Sequence, residues 1–188
     1  MNSRQHIARR RAHRIQAGLL ALGFTFASCS DDSGGGKGIE CNAAFLEADL
    51  DSSPFMGPGV DQGELKLAPD HEYVVSTTYG VPNRGADGTR VPPAYTAAFG
   101  AIQEQLGKQR GLIAYQLGSS EACGSGRTLA IWESEDAMYD FVVSPAHLAA
   151  MMQVNALLEP GYAVAHYNAH DAREMTFAAS VAHALADR

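Results

Sequence analysis

Between His71 and Tyr167 the order in which β-type and helical hydrophobic periods follow one another constrains the fold more than any other feature of this sequence. Tyr73, Val75, Thr77 and Tyr79 alternate with Val74, Ser76 and Thr78 until Gly80 and Pro82, which is a strand signal. After a loop from Val81 to Val91, Pro92-Pro93 opens a helix in which Tyr95, Phe99, Ile102 and Leu106 recur at helical spacing, with Gly111 as its stop. Leu112 to Leu117 and Arg127 to Trp132 read as two further strands, and Gly118, Ser119, Ser120, Cys123, Gly124 and Gly126 between them suit a hairpin loop. Ser134 is an expected N-cap, and Glu135 and Asp136 lie at the positive end of a helix that carries Met138, Phe141 and Val142. Ser144-Pro145 breaks that helix and starts a second segment with Leu148, Met151, Met152, Asn155 and Leu158, ending at Glu159-Pro160-Gly161. A last strand runs from Tyr162 to Tyr167. Beyond it, Phe177, Val181 and Leu185 form the i, i+4 stripe of a short C-terminal helix that packs on the body or on a neighbour.

Strand, helix, strand, strand, helix, strand is the split βαβ order. The expected fold class is therefore α+β: a ferredoxin-like antiparallel sheet with its helices on one face, over residues 71–170, followed by a C-terminal helix in 171–188. The other sheet face needs a cover. A second copy presenting the same face would provide it and make a homodimer. The alternative cover is the segment 41–70, an irregular extension broken by Pro54, Gly57, Pro58, Gly59 and Gly63, which would permit a monomer.

The front of the chain reads as an export signal. Residues 1–28 contain Arg4, Arg9, Arg10, Arg11 and Arg14 and no acid, then an apolar run from Ala17 to Phe26 that is too short to span a bilayer. Phe26-Ala27-Ser28-Cys29 is similar to the bacterial lipobox, with Phe where Leu is usual, so Cys29 is the expected lipidation site; an ordinary signal peptide with an incidental cysteine is the alternative. Arg9-Arg10-Arg11 lacks the residues that should follow in a twin-arginine signal, which leaves the general secretory route. Residues 29–40 carry three successive glycines and almost nothing apolar, as a tether would. Ser30 directly after the lipidated Cys, with no Asp there, points to the periplasmic face of the outer membrane in a diderm cell. Lipidation leaves Cys41 and Cys123 in an oxidising compartment, where a disulfide is expected and two separate thiols are the alternative.

Charge narrows the partners. The chain has 14 basic and 21 acidic side chains; with the five arginines of the signal removed, 9 bases face 21 acids, a formal charge of −12 against −7 for the whole chain. Such a body repels phosphate backbones, and no basic stripe offsets it, so nucleic acid is not an expected partner.

The run Gly-Leu-Ile-Ala-Tyr-Gln-Leu from Gly111, with Leu129-Ala-Ile-Trp132, Ser134, Ala137, Phe141, Ser144, His147 and Met151, resembles the antibiotic biosynthesis monooxygenase-like domains of the dimeric α/β barrel superfamily, over roughly residues 71–168. The resemblance rests on helix and strand anchors and implies fold more than reaction. It implies the facing-sheet homodimer and, among activities, cofactor-free oxygenation of small aromatic or quinol substrates or haem degradation; many such domains have no known activity. Haem-degrading members use a Trp and a His ligand on the second helix; here the aligned positions are Phe141 and Met151, so haem is disfavoured and no cofactor is expected. Met151 is read as core filler.

His147 falls in the first turn after Ser144-Pro145, where the helix dipole favours a neutral imidazole, so it is the candidate base; a hydrogen bond to a backbone carbonyl at the helix break is its structural alternative. Trp132 shares a sheet face with Thr128 and Ala130, and Leu129 and Ile131 share the other. Trp132, Tyr79, Tyr115 and His166 are candidate lining for an aromatic ligand pocket; the face opposite the helices would line the barrel, the sequence leaves open which set of residues points there, and plain core packing is the alternative for each. His166 and His170 do not face one another on a strand and its trailing loop, and nothing completes a metal set. Three functions follow: an envelope oxygenase with His147 as base, a non-catalytic small-ligand module using the same pocket, or a structural lipoprotein.

Overall fold

The computed structural model describes residues 40–186; the signal peptide, Cys29 and most of the tether lie outside them. Three two-residue strands come first, β1 (Asp51–Ser52), β2 (Val60–Asp61) and β3 (Glu64–Leu65). The body then runs β4 (Tyr73–Gly80), α1 (Pro93–Leu106), β5 (Leu112–Ser120), β6 (Ser125–Trp132), α2 (Glu135–Val142), α3 (Pro145–Met152), α4 (Val154–Leu157), β7 (Ala163–Ala169) and α5 (Phe177–Ala186). The sheet order is β1-β5-β6-β4-β7, with every pair antiparallel. With the short β1 set aside, this is the ferredoxin-like α+β fold: the first body strand sits between the third and the fourth, and each helical crossover skips a strand. Among the described residues no helix is long and apolar enough to cross a membrane.

The sheet carries two separate cores. On one side Val74, Leu112, Ala130 and Trp132 pack under Leu106 of α1 and Met138 and Phe141 of α2. On the other Tyr73, Val75, Ala114, Leu129, Ile131, Tyr167 and Ala169 form an apolar face. A register shift between Leu112 and Ala114 separates the two sets on β5, turning Leu112 to the helices and letting Ile113 and Ala114 both serve the far core. Burying each aliphatic or phenyl group contributes about 1.5–3 kcal/mol relative to exposure.

That far face is covered by the chain itself. Leu50, Phe55, Val60, Leu65 and Leu67 from the extension pack on it, together with Met175 and with Phe177 from α5. Of the two covers the sequence allows, the extension is therefore the one in place, and a homodimer built on this face would have to displace it. The expected C-terminal stripe is seen in Phe177 and Val181, both buried. The extension also runs along the free edge of β5, where Ser53 N–H donates to Leu117 O (2.8 Å), Met56 exchanges bonds with Tyr115 (2.9 and 2.7 Å) and Gly59 N–H donates to Ile113 O (2.7 Å). This seals an edge that would otherwise template pairing with another chain. Gly57 permits the approach: its φ is +139°, and a Cβ there would lie 2.7 Å from Ile113 O and 2.8 Å from Ala114 Cα.

The start of the extension is clamped to the β5–β6 hairpin. Cys41 and Cys123 form the expected disulfide, closing a sequence separation of 82 residues. Glu47, buried and far from Arg127 in sequence, accepts from Arg127 Nε at 2.6 Å and from Ser125 Oγ at 2.5 Å. Arg127 also donates to Phe45 O (2.6 Å), and its guanidinium lies 4.7 Å from the centre of the Tyr79 ring. Asp49 accepts from Ser120 Oγ (2.6 Å) and Ala122 N–H (2.9 Å), bonds that hold its carboxyl below the usual carboxylate range.

Candidate functional site

The helix side of the sheet is closed at one end and open at the other. Val74, Ala130 and Trp132 are buried, whereas Ser76, Thr78 and Thr128, further along the same central strands and on the same face, are only half-buried. Centre-strand residues remain accessible on a helix-covered face only where the helices stand off it, so these three hydroxyls form the floor of the open end. Beside them on β7, His166 is paired with Ser76 and Val164 with Thr78, and both are exposed. The hydroxyls are mutually satisfied, with Thr78 Oγ1 and Thr128 Oγ1 2.6 Å apart and Ser76 Oγ accepting from Trp132 Nε1 at 2.8 Å.

A row of rings leads from this floor to His147. The Trp132 and Phe141 ring centres are 5.1 Å apart, and those of Phe141 and His147 are 4.9 Å apart. The break between α2 and α3 positions the imidazole. Ser134 caps α2 by accepting from Ala137 N–H, while Ser144 takes the N-cap position of α3 with Pro145 behind it but makes no side-chain cap bond. His147, one turn into α3, reaches back so that its Nδ1–H donates to Val142 O at 3.0 Å. A carbonyl can only accept, so this bond sets the neutral tautomer with the proton on Nδ1 and leaves the Nε2 lone pair as the acceptor. Burial pushes the imidazole pKa below its usual value, the bond to Val142 opposing it in part. The hydrogen bond to a backbone carbonyl, the structural alternative for His147, is thus present, and it orients the ring.

The remaining candidates separate. Trp132, Tyr115 and His166 lie on the helix side, Trp132 and Tyr115 with the core there. Tyr79 is on the opposite face, against Arg127. The four therefore do not line one pocket, and the face opposite the helices is packed core. Tyr79 borders only a gap of about 10 Å³, room for about one water rather than an organic ligand. Its hydroxyl, buried and without a hydrogen-bond partner, has its pKa raised by burial. His166 stands at the rim of the open end, Nε2 4.0 Å from Glu135 Oε1 and its ring edge-on to Tyr139 at 6.3 Å. His170 pairs instead with Glu72 at 3.3 Å. Met151 is 53% exposed, and α3 has no buried residue, so Met151 is not core filler; the apolar anchor of this region is Leu157. Among the described residues no group of three or more His, Cys, Asp or Glu is placed to hold a metal ion.

Ser76, Thr78 and Thr128 belong to the site although the sequence alone does not single them out. Their signal is present in it: hydroxyl residues at alternate positions of central strands, where an apolar side chain is expected on a helix-covered face.

No protein-family model matches the chain, and no curated protein sequence does. Several solved structures are similar. Rv0793 of Mycobacterium tuberculosis is 23% identical, over 53% of this chain and 96% of that one, with a TM-score of 0.45. SnoaB of Streptomyces nogalater, described as a cofactor-independent oxygenase, is 17% identical over 54% of this chain and 93% of its own, with a TM-score of 0.39. A dimeric ferredoxin-like protein of unknown function from Thermobifida fusca is 15% identical over 54% and 94%, with a TM-score of 0.42. The fold assignment rests on the strand order described above.

Proposed function

We propose that the crevice between the helices and the sheet takes up a small quinol or phenol, and that His147 is the base of a cofactor-free oxygenation. The orientation of His147 carries this reading: Nδ1–H is held by Val142 O, and the ring is neutral and half-buried, so Nε2 is a ready proton acceptor near neutral pH. Loss of the phenolic proton to Nε2 leaves an electron-rich anion able to reduce dioxygen. One oxygen atom then enters the ring and the other leaves as water, taking the quinol to a hydroxyquinone with no external reductant. Ser76, Thr78 and Thr128 supply hydrogen-bonding capacity on the floor, backed by the buried rings of Trp132 and Phe141.

The test is oxygen uptake by the chain with a panel of quinols and no added cofactor, with labelled dioxygen and mass analysis of the product. One labelled atom per product, and uptake lost in His147→Gln, are expected. Uptake unchanged in that variant would overturn the role of His147, and saturable binding with no uptake would make the crevice a non-catalytic ligand site. The same reading places the domain in the cell envelope, on a lipid at Cys29. The signal-like order of residues 1–29 and the Cys41–Cys123 disulfide support this, since such a bridge persists in an oxidising compartment. Mass analysis of the N-terminal peptide from envelope membranes should show a diacylated Cys29, and an unmodified thiol there would contradict the anchor.

A further inference from the structure

A second recess, of about 310 Å³, lies between the loop after β4 and the tip of the β5–β6 hairpin. We propose that it is a binding site for a small zwitterion, a free amino acid or dipeptide with an apolar side chain. This does not rest on the oxygenase reading, because the crevice and His147 are not part of the recess.

Its walls are held in place. The hairpin tip is tied down by the Cys41–Cys123 disulfide. The loop is pinned to the end of α4 and the segment after it by Asn83 N–H donating to Leu157 O (2.9 Å) and Glu159 N–H to Val81 O (2.8 Å), and it closes on itself through Gly85 N–H to Thr89 O (2.8 Å). A fixed site costs a ligand less ordering free energy on binding. Its size falls at the lower end of the roughly 300–1,000 Å³ typical of small-molecule sites.

The charges select the ligand. Arg84, Arg90, Glu121 and Glu159 line the recess, and none of the four forms an ion pair with any described residue. A simple anion would gain from the guanidiniums and be repelled by the carboxylates, and a simple cation would meet the reverse. A molecule carrying both charges can pair with both, its carboxylate with a guanidinium and its ammonium with a carboxylate. Val81 and Val91 also line the recess, Val91 with half its surface exposed, and give an apolar side chain something to cover.

The experiment is calorimetric titration of the full chain with leucyl-leucine, compared with N-acetyl-leucine, which keeps only the negative charge, and leucinamide, which keeps only the positive. Leucyl-leucine should bind with Kd on the order of 0.1–1 mM, at least about tenfold more tightly than either analogue. Arg84→Gln with Arg90→Gln, and separately Glu121→Gln with Glu159→Gln, should each weaken it at least about tenfold, while His147→Gln should leave it unchanged. All four side chains are surface groups, so circular dichroism of these variants should match the parent. N-acetyl-leucine binding as tightly as the dipeptide, leucinamide doing so, binding unaffected by either double variant, or no saturable heat at all would each overturn the proposal.

Discussion

Replacing Arg127 by Met tests whether the extension is clamped from inside. In the folded chain the Arg127 and Glu47 side chains are 4% and 0% exposed and meet at 2.6 Å. The substitution leaves the Glu47 carboxylate in place with Ser125 Oγ, at 2.5 Å, as its remaining side-chain donor, and removes the donor at 2.6 Å from Phe45 O. Breaking a buried pair from one side costs about 3–5 kcal/mol, because the surviving charge stays desolvated and unpaired; an exposed pair is worth at most about 1 kcal/mol. Against a total stability of about 5–15 kcal/mol, such a loss is large. Equilibrium urea unfolding with the disulfide intact should show it as a lowered midpoint, and limited proteolysis should show cleavage within residues 41–70 at urea concentrations where the parent resists. The double variant Glu47→Leu, Arg127→Met, which removes both charges, should recover most of the loss. A single-variant loss below about 1 kcal/mol, or a double variant no better than the single, would refute the account of a desolvated clamp.

Three further outcomes are expected. Cys41→Ser with Cys123→Ser should lower stability by about 4 kcal/mol from the loop entropy of the 82-residue separation, read as a urea midpoint that no longer responds to reductant. Gly57→Ala should cost about 1–3 kcal/mol and raise hydrogen exchange at Met56 and Gly59, because the new Cβ meets the β5 backbone at a positive φ. The pKa of His147 is lower in the folded chain than unfolded, so the unfolded state takes up the proton first. Its contribution to stability is therefore complete above the ordinary imidazole value of about 6.5 and declines as pH falls from there toward the folded pKa; this part of the slope should vanish in His147→Gln.

The body was legible in the sequence because its local signals agree. Alternation in residues 73–79, the spacing of Ile102 and Leu106, and the Ser134 cap each point to the element that forms. Boundaries moved where tertiary contacts outweighed local preference. Gly118, Ser119 and Ser120 read as loop but lie in β5, because β1 pairs with Gly118 and Ser119 and Asp49 holds Ser120. Gly118 also lets Leu50 and Phe177 close in over the strand, where a Cβ would sit 3.1–3.2 Å from their side chains. α1 ends at Leu106 rather than near Gly111, which at φ +74° instead turns the chain into β5. The role of the extension was hidden because Leu50, Phe55, Val60, Leu65 and Leu67 follow no helical or strand period, and because Glu47 and Arg127 are 80 residues apart. At the site, the backbone hydrogen bond of His147 could be expected from its place behind Ser144-Pro145. Which sheet face carries the opening depended on where the extension lies.

The most direct test of the central claim is nitrogen-15 NMR of the imidazoles at pH 7, with His147 assigned by its loss in His147→Gln, recorded before and after anaerobic addition of a quinol. The account predicts a neutral ring protonated at Nδ1 and an Nε2 resonance that shifts saturably as the quinol binds. A ring protonated at Nε2, or an Nε2 signal that no quinol moves, would contradict it.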